Sequence, residues 1–308
     1  MPALLIVGFG DVAKRALPAL LARYWPVYAL VRSAEAARAA AARDAVAVVA
    51  DLDRPDSLAA LAGLADRILH LAPPGPTGTR DERTRALADA LTARGMLPQR
   101  RHAIDLQRLV YVSTTGVYGD CGGAWIDETR PVNPQTDRAR RRVDAERALI
   151  ELGERTGASV SILRAPGIYA ADRLPVERLA RGTPALRPED DVYTNHIHAD
   201  DLARACVAAL ERGAPGRVYN VVDDSAMKMG EYFDLVAERA GLARPPRVAR
   251  AEAARQLSPV ALSFMTESRR IANRRMKEEL AVVLRYPSVR EGVPLAVALA
   301  AAPSPKRS

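Results

Sequence analysis

Cysteine is nearly missing from this chain. Cys121 and Cys206 are the only two, far apart and among no other metal-like ligands, which excludes a disulfide framework and a zinc site of the usual spacing. Long apolar runs are missing as well. No stretch reaches the roughly 18 residues that a membrane span requires. The first residues carry no basic segment, and their apolar run is broken by Gly8 and Gly10, unlike a secretory leader. A cytoplasmic protein without a membrane partner is expected. Lysine is scarce too: of 45 basic residues only Lys14, Lys228, Lys277 and Lys306 are lysines. The net charge of +8 therefore rests on arginine, spread along an alanine-rich chain. Its densest run, Arg138-Ala139-Arg140-Arg141-Arg142, has no interleaved aromatic residues on which bases could stack. The charge reads as a chain-wide bias, and no nucleic-acid partner is expected.

What is present is a globular composition, 48% hydrophobic and 27% charged over 308 residues, enough for a large core in one or two domains. Apolar runs at Leu4–Val7, Val27–Val31, Ala45–Ala50, Arg67–Ala72, Leu109–Ser113 and Val160–Arg164 read as strands. Helical spacing falls between them, at Pro55–Leu64, Arg83–Arg94 and Thr136–Arg155. Such alternation predicts a doubly wound parallel α/β sheet with helices on both faces. Further on, Asp200–Arg212 reads as a helix capped by Asp200 or Asp201, and Arg217–Val222 as a strand returning to the sheet. Glu231–Ala240 and Ser268–Leu284 read as helices of a smaller C-terminal substrate lobe. The expected division gives residues 1–165 and 195–223 to a dinucleotide-binding Rossmann domain, 166–194 and 224–300 to the smaller lobe, and 301–308 to a flexible tail.

The opening run leads directly into Gly8-Phe9-Gly10-Asp11-Val12-Ala13, a G-x-G-x-x-A loop between a strand and a helix. The first glycine permits the tight turn, the second lets backbone approach a pyrophosphate, and the small Ala13 lets helix and strand pack closely. The anion then sits at the helix N-terminus. A site preferring NAD usually ends its second strand with an acid that accepts from the ribose hydroxyls. Here that place holds Arg32 and Ser33. Arg32 cannot accept a hydrogen bond, whereas its donor fork suits a 2′-phosphate, so NADP is expected ahead of NAD, the other reading of Arg32 being an ordinary surface arginine. Asp51 either meets the adenine or caps the turn before Pro55. Leu52, Leu71, Ala72 and Pro73 at strand ends, with Pro166 and Ile168 further on, complete the expected cofactor contacts.

Tyr111-Val112-Ser113-Thr114-Thr115-Gly116-Val117-Tyr118-Gly119, with the glycine loop, Asp127-Glu128, Asn133-Pro134-Gln135, Glu146, Arg164-Ala165-Pro166-Gly167-Ile168-Tyr169 and Asn195-His196-Ile197-His198-Ala199-Asp200-Asp201, resembles the extended short-chain dehydrogenase/reductases. Within them it is similar to the NAD(P)-dependent epimerase/dehydratase group. Arg217-Val218-Tyr219-Asn220-Val221 and Arg285-Tyr286-Pro287 resemble its atypical branch. The resemblance implies that Thr114 polarises the substrate oxygen and that a Tyr-x-x-x-Lys pair on the following helix supplies the base. Alignment on Asn133-Pro134-Gln135 and Glu146 places Arg138 at the Tyr position and Arg142 at the Lys position. A guanidinium keeps its proton at working pH, so Arg138 cannot act as the phenol does, while Arg142 can still donate to ribose hydroxyls.

Tyr118 and the carboxylates of Asp127-Glu128 are the replacement candidates for proton transfer, Tyr118 being otherwise a packing residue. His196 and His198 are expected as hydrogen-bonded anchors and His70 as a half-buried strand residue. The expected function is an oxidoreductase or epimerase-like enzyme using NADP with atypical acid–base groups on a nucleotide sugar or related carbonyl or hydroxyl substrate. The alternative is a non-catalytic NADP(H)-binding sensor or regulator. The resemblance also implies a homodimer through Arg83–Arg94 and Thr136–Arg155, where the charges of Arg138–Arg142 must point outward or meet acids.

Overall fold

The computed structural model describes residues 1–93 and 105–297. The expected tail, 301–308, lies outside the described residues. Seven strands form one sheet: β1 (Leu4–Val7), β2 (Val27–Val31), β3 (Val46–Val49), β4 (Arg67–His70), β5 (Arg108–Thr114), β6 (Ser159–Ala165) and β7 (Arg217–Asn220). Their order is β7-β6-β5-β4-β1-β2-β3, and every ladder is parallel. The order turns back at β1, which pairs β2 on one side and β4 on the other. Ligands bind outside the carboxyl ends of strands at such a reversal.

Parallel strands need crossover helices, and these cover both faces. Period-two alternation sends Leu4 and Ile6 to one face and Leu5 and Val7 to the other. The first pair joins Leu17 and Leu20 of α1 (Asp11–Leu21) and Cys206 and Leu210 of α5 (Ala199–Arg212). The second pair joins Leu87 of α3 (Glu82–Thr92) and Leu149 and Leu152 of α4 (Asp137–Thr156). Between β2 and β3 lies α2 (Ala34–Ala41). A separate apolar cluster gathers Leu179, Leu186, Met265 and Val289 around Tyr232 and Phe233 of α6 (Met229–Arg239). Among the described residues no helix is long and apolar enough to cross a membrane.

Local chemistry sets the helix ends. Thr136 accepts a hydrogen bond from Ala139 N to start α4, and left-handed Gly157 closes it, as an Ncap hydroxyl and a C′ glycine do. Three expectations change. Pro55–Leu61 is a short 3₁₀ segment, which sends Leu58 and Leu61 to the core together because its period is three. The cap of α5 is His198, whose Nδ1 accepts from Asp200 N at 3.2 Å. Asp201 instead accepts from Arg285 N and Tyr286 N, both at 2.8 Å. The stretch Ser268–Leu284 is not one helix: Arg270–Ile271 pairs with Trp125–Ile126 as a strand, and only Arg274–Glu279 is helical. Ala281, at φ +51°, is left-handed and cannot continue a right-handed helix.

Candidate functional site

A cleft of about 620 Å³ opens at the carboxyl ends of β1, β2, β4 and β5. Gly8 shapes its floor. It sits at φ +95°, and a Cβ there would come within 2.6 Å of Ala72 N, so no side chain fits. Gly10 is different. Nothing lies within 4 Å of its Cβ position, and as the Ncap of α1 it offers no side-chain acceptor. The first amides of α1 thus face an open cradle, the arrangement that receives a phosphate. The lining contains Gly8, Phe9, Gly10, Asp11, Val12 and Ala13 of the loop, and Asp51, Leu52, Leu71, Ala72 and Pro73 at the strand ends. Pro166 and Ile168 close its inner side. These residues fit a dinucleotide.

At the end of β2, Arg32 lines the cleft. Its guanidinium makes no ion pair or hydrogen bond with another described side chain. Ser33 does not join the lining. Its hydroxyl accepts from Ala36 N at 3.1 Å and caps α2. Asp51 lines the cleft and accepts from Asp53 N at 3.1 Å, so it caps the turn from a position that faces the cleft. Two lining arginines escaped the sequence reading. Arg83 reaches in from α3 and grips Asp53 through Nε at 2.6 Å, holding that carboxyl below its usual range. Arg173 pairs with Asp11 at 3.0 Å. Neither lies in a motif, because each arrives from a distant segment.

A second cleft, of about 910 Å³, adjoins the first, and Pro73, Thr114, Arg142 and Pro166 line both. Thr114 ends β5. Its Oγ1 accepts from Gly116 N at 3.2 Å, which leaves the hydroxyl proton free to be donated. Arg138 and Arg142 project from α4 into this cleft. Nη1 of Arg142 donates to Tyr111 Oη at 2.7 Å and to Val112 O at 3.0 Å, so the guanidinium is fixed beside Thr114. The centre of the Arg138 guanidinium lies 4.6 Å over the ring of Phe264. Burial and the like charge of Arg142 pull its pKa below the ordinary arginine value. Arg178, Arg269, Tyr232 and Phe233, none of them singled out in the sequence, complete the walls.

Other candidates stand elsewhere. Tyr118 lines neither cleft. It is buried, donates to Asn220 Oδ1 at 2.8 Å, and lies under Arg164. Burial raises its pKa, so the proton-transfer role proposed for it gives way to packing. Glu128 accepts from Asn220 N at 2.8 Å, and Asp127 accepts from Thr129 N at 2.9 Å; both hold loops. His198 is the anchor expected. His196 lines the second cleft, but burial pushes its pKa down to about 3, which makes it a weak base. His70 is fully buried, not half-buried, and shares a hydrogen bond with Thr84 at 3.0 Å.

A glycine cradle at the reversal of a parallel sheet, adjoining a second cleft, defines a dinucleotide-binding α/β protein. The chain belongs to the NAD dependent epimerase/dehydratase family, whose model matches residues 4–222; the family binds an NAD(P) cofactor. It is similar to Protein YeeZ of Escherichia coli K12, 30% identical over 140 residues, a match spanning 46% of this chain and 48% of YeeZ. It is also similar to the 3-diazoavenalumate denitrifying reductase of a Streptomyces species, 27% identical over 92% of this chain and 96% of the relative. A functionally unknown conserved protein from Silicibacter pomeroyi superposes with a TM-score of 0.77 at 31% identity, covering 95% of this chain and 96% of that one.

Proposed function

We propose that this chain is a cytoplasmic NADP(H)-dependent oxidoreductase that reduces a carbonyl group of a small molecule, a nucleotide sugar or a related compound. The observation that carries the reading is the meeting of the two clefts at Thr114 and Arg142. NADP is preferred because Arg32 presents an unengaged donor fork where an NAD site has an acid. When bound, the cofactor supplies hydride. Thr114 donates a hydrogen bond to the substrate oxygen and keeps its proton. The spare donors of Arg142 serve the ribose hydroxyls.

No tyrosine of the chain is followed four residues later by a lysine. Arg138 and Arg142 stabilise negative charge on an oxygen but cannot remove a proton from a hydroxyl. Reduction therefore suits this site better than oxidation, since a nascent alkoxide takes its proton from water. The division into cofactor and substrate lobes belongs to the same proposal. So does a homodimer through α3 and α4, since Arg138, Arg141 and Arg142 turn toward the second cleft and not toward a partner.

The test is a fluorescence titration of the full chain with NADPH and NADH, repeated with Arg32→Asp, followed by NADPH oxidation over a carbonyl and sugar-nucleotide panel. Preference for NADPH that disappears in Arg32→Asp supports the assignment. Tight NADPH binding with no oxidation of NADPH by any compound leaves the sensor reading instead.

A further inference from the structure

The second cleft carries more positive charge than reduction of a neutral carbonyl requires. Among the described residues, Arg138, Arg141, Arg142, Arg178 and Arg269 line it against a single carboxylate, Glu267. That carboxylate is engaged by Arg269 at 2.7 Å. The other four guanidinium groups make their hydrogen bonds and ring contacts to neutral partners, Glu267 acting on Arg138 only through space. Arg141 donates to Gly78 O, Arg142 to Tyr111 and Val112, and Arg178 to Pro184 O. Arg178 also stacks on Phe233, and Arg138 on Phe264. Carbonyls and rings engage only some of these donors, leaving Nε of Arg141 and of Arg178 buried without a partner, and cancel no charge; a concave wall of low dielectric focuses the field that remains.

Arginine abundance alone does not explain this. Elsewhere the chain supplies carboxylates to partly buried arginines, as in Arg164 with Glu146, Arg85 with Asp144 and Arg247 with Asp234. Arg108, Arg239, Arg250 and Arg270 also rest on carbonyls, but none of them lines either cleft. Four unmatched cations around one cleft are unfavourable until an anion joins them. Burial accordingly pulls both Arg138 and Arg178 below their ordinary pKa.

The position of the charge narrows the ligand. Arg138 and Arg142 are four residues apart on α4 and share a face, and Arg142 lines the junction with Thr114. We propose that the second cleft takes an organic acid whose carboxylate or phosphate oxygens lie on Arg138 and Arg142, with an adjacent carbonyl oxygen on Thr114. The ligand class is thus an oxo-acid or a phosphorylated carbonyl compound, anionic at its reacting end. The adjacent carbonyl rests on the reduction proposed above; the anion site stands without it.

The experiment is isothermal titration calorimetry of the full chain, with and without NADPH, against oxamate, its neutral counterpart oxamide, and inorganic phosphate. Oxamate or phosphate is expected to bind, and oxamide at least about ten-fold more weakly, in keeping with loss of a charge-assisted contact. Arg138→Gln should weaken anion binding by about ten-fold or more. Arg147→Gln removes an exposed charge of α4 that lines neither cleft and should change it less than about two-fold. Stronger binding of oxamate supports a carboxylate, and stronger binding of phosphate a phosphoryl group. Binding of neither anion, equal binding of oxamide, or equal loss in both variants overturns the site. Anion binding without any NADPH binding ends the cofactor proposal and keeps this one.

Discussion

Glu146→Gln is the substitution whose effect can be worked most directly from the structure. Glu146 of α4 accepts from Arg164 Nε at 3.2 Å and Nη2 at 2.7 Å, and from Ser113 Oγ at 2.5 Å. The paired side chains are 7% and 6% exposed, so water cannot replace either. Burial opposes the charge on Arg164, yet Glu146 more than restores it and holds the guanidinium above its ordinary pKa. Removing one partner of a buried pair costs about 3–5 kcal/mol. Glutamine keeps an acceptor, which favours the lower end, about 3 kcal/mol. With an unfolding entropy of about 2.1 cal/mol/K per residue, a chain of 308 residues loses about 5 °C of Tm. The double variant Glu146→Leu with Arg164→Met removes both charges, which is close to neutral, and strands Ser113 at about 1 kcal/mol. Its Tm should fall by only about 2 °C. Thermal denaturation followed by circular dichroism measures both. A loss under about 1 °C in the single variant, or a double variant no more stable than the single, refutes the reasoning.

Three further outcomes are expected. Gly10→Ala should keep the Tm, since its methyl meets nothing within 4 Å, yet weaken NADPH in a fluorescence titration by about ten-fold or more by crowding a close phosphate approach. Gly8→Ala should lower both, and equal behaviour of the two variants counts against the cradle. Burial pushes the Asp223 carboxyl up to about 7 from 3.8. The folded chain therefore keeps a proton that the unfolded chain has released, and this residue's contribution to stability falls as pH rises between those values. Relative to wild type, the Tm of Asp223→Asn should climb from pH 4 to pH 7 and then level off; a constant difference denies the shift. Thr114→Val should lower turnover of NADPH with a responsive carbonyl by about 100-fold, a loss far larger than any change in NADPH affinity; full activity removes Thr114 from the reaction.

Periodicity made the sheet legible. Each of the seven strands falls within about two residues of its expected bounds, because buried parallel strands read as continuous apolar runs. Much of the first cleft's lining was readable too, since Gly8 to Ala13 are contiguous and Asp51, Leu52 and Leu71 to Pro73 sit at strand ends, whereas Arg83 and Arg173 arrive from elsewhere. What could not be read depends on partners far along the chain. Asp201 looked like a helix cap, but Arg285 and Tyr286 claim its carboxylate. Tyr118 was open to two readings, proton transfer or packing, and only the enclosure by Asn220 and Arg164 favours packing. The walls of the second cleft come from 73–76, α4, 175–178, 193–196, α6 and 258–269, and no local pattern announces that these segments converge.

Among the described residues, Arg142 is the one charged residue shared by the two clefts. Two anionic molecules that draw on the same cation each reduce what the other gains from it. Thermodynamic reciprocity then requires that occupancy of either cleft weaken the other through this residue by an identical factor. On the two assignments proposed above, a product that keeps its negative charge would loosen the spent dinucleotide through Arg142, and the dinucleotide the product.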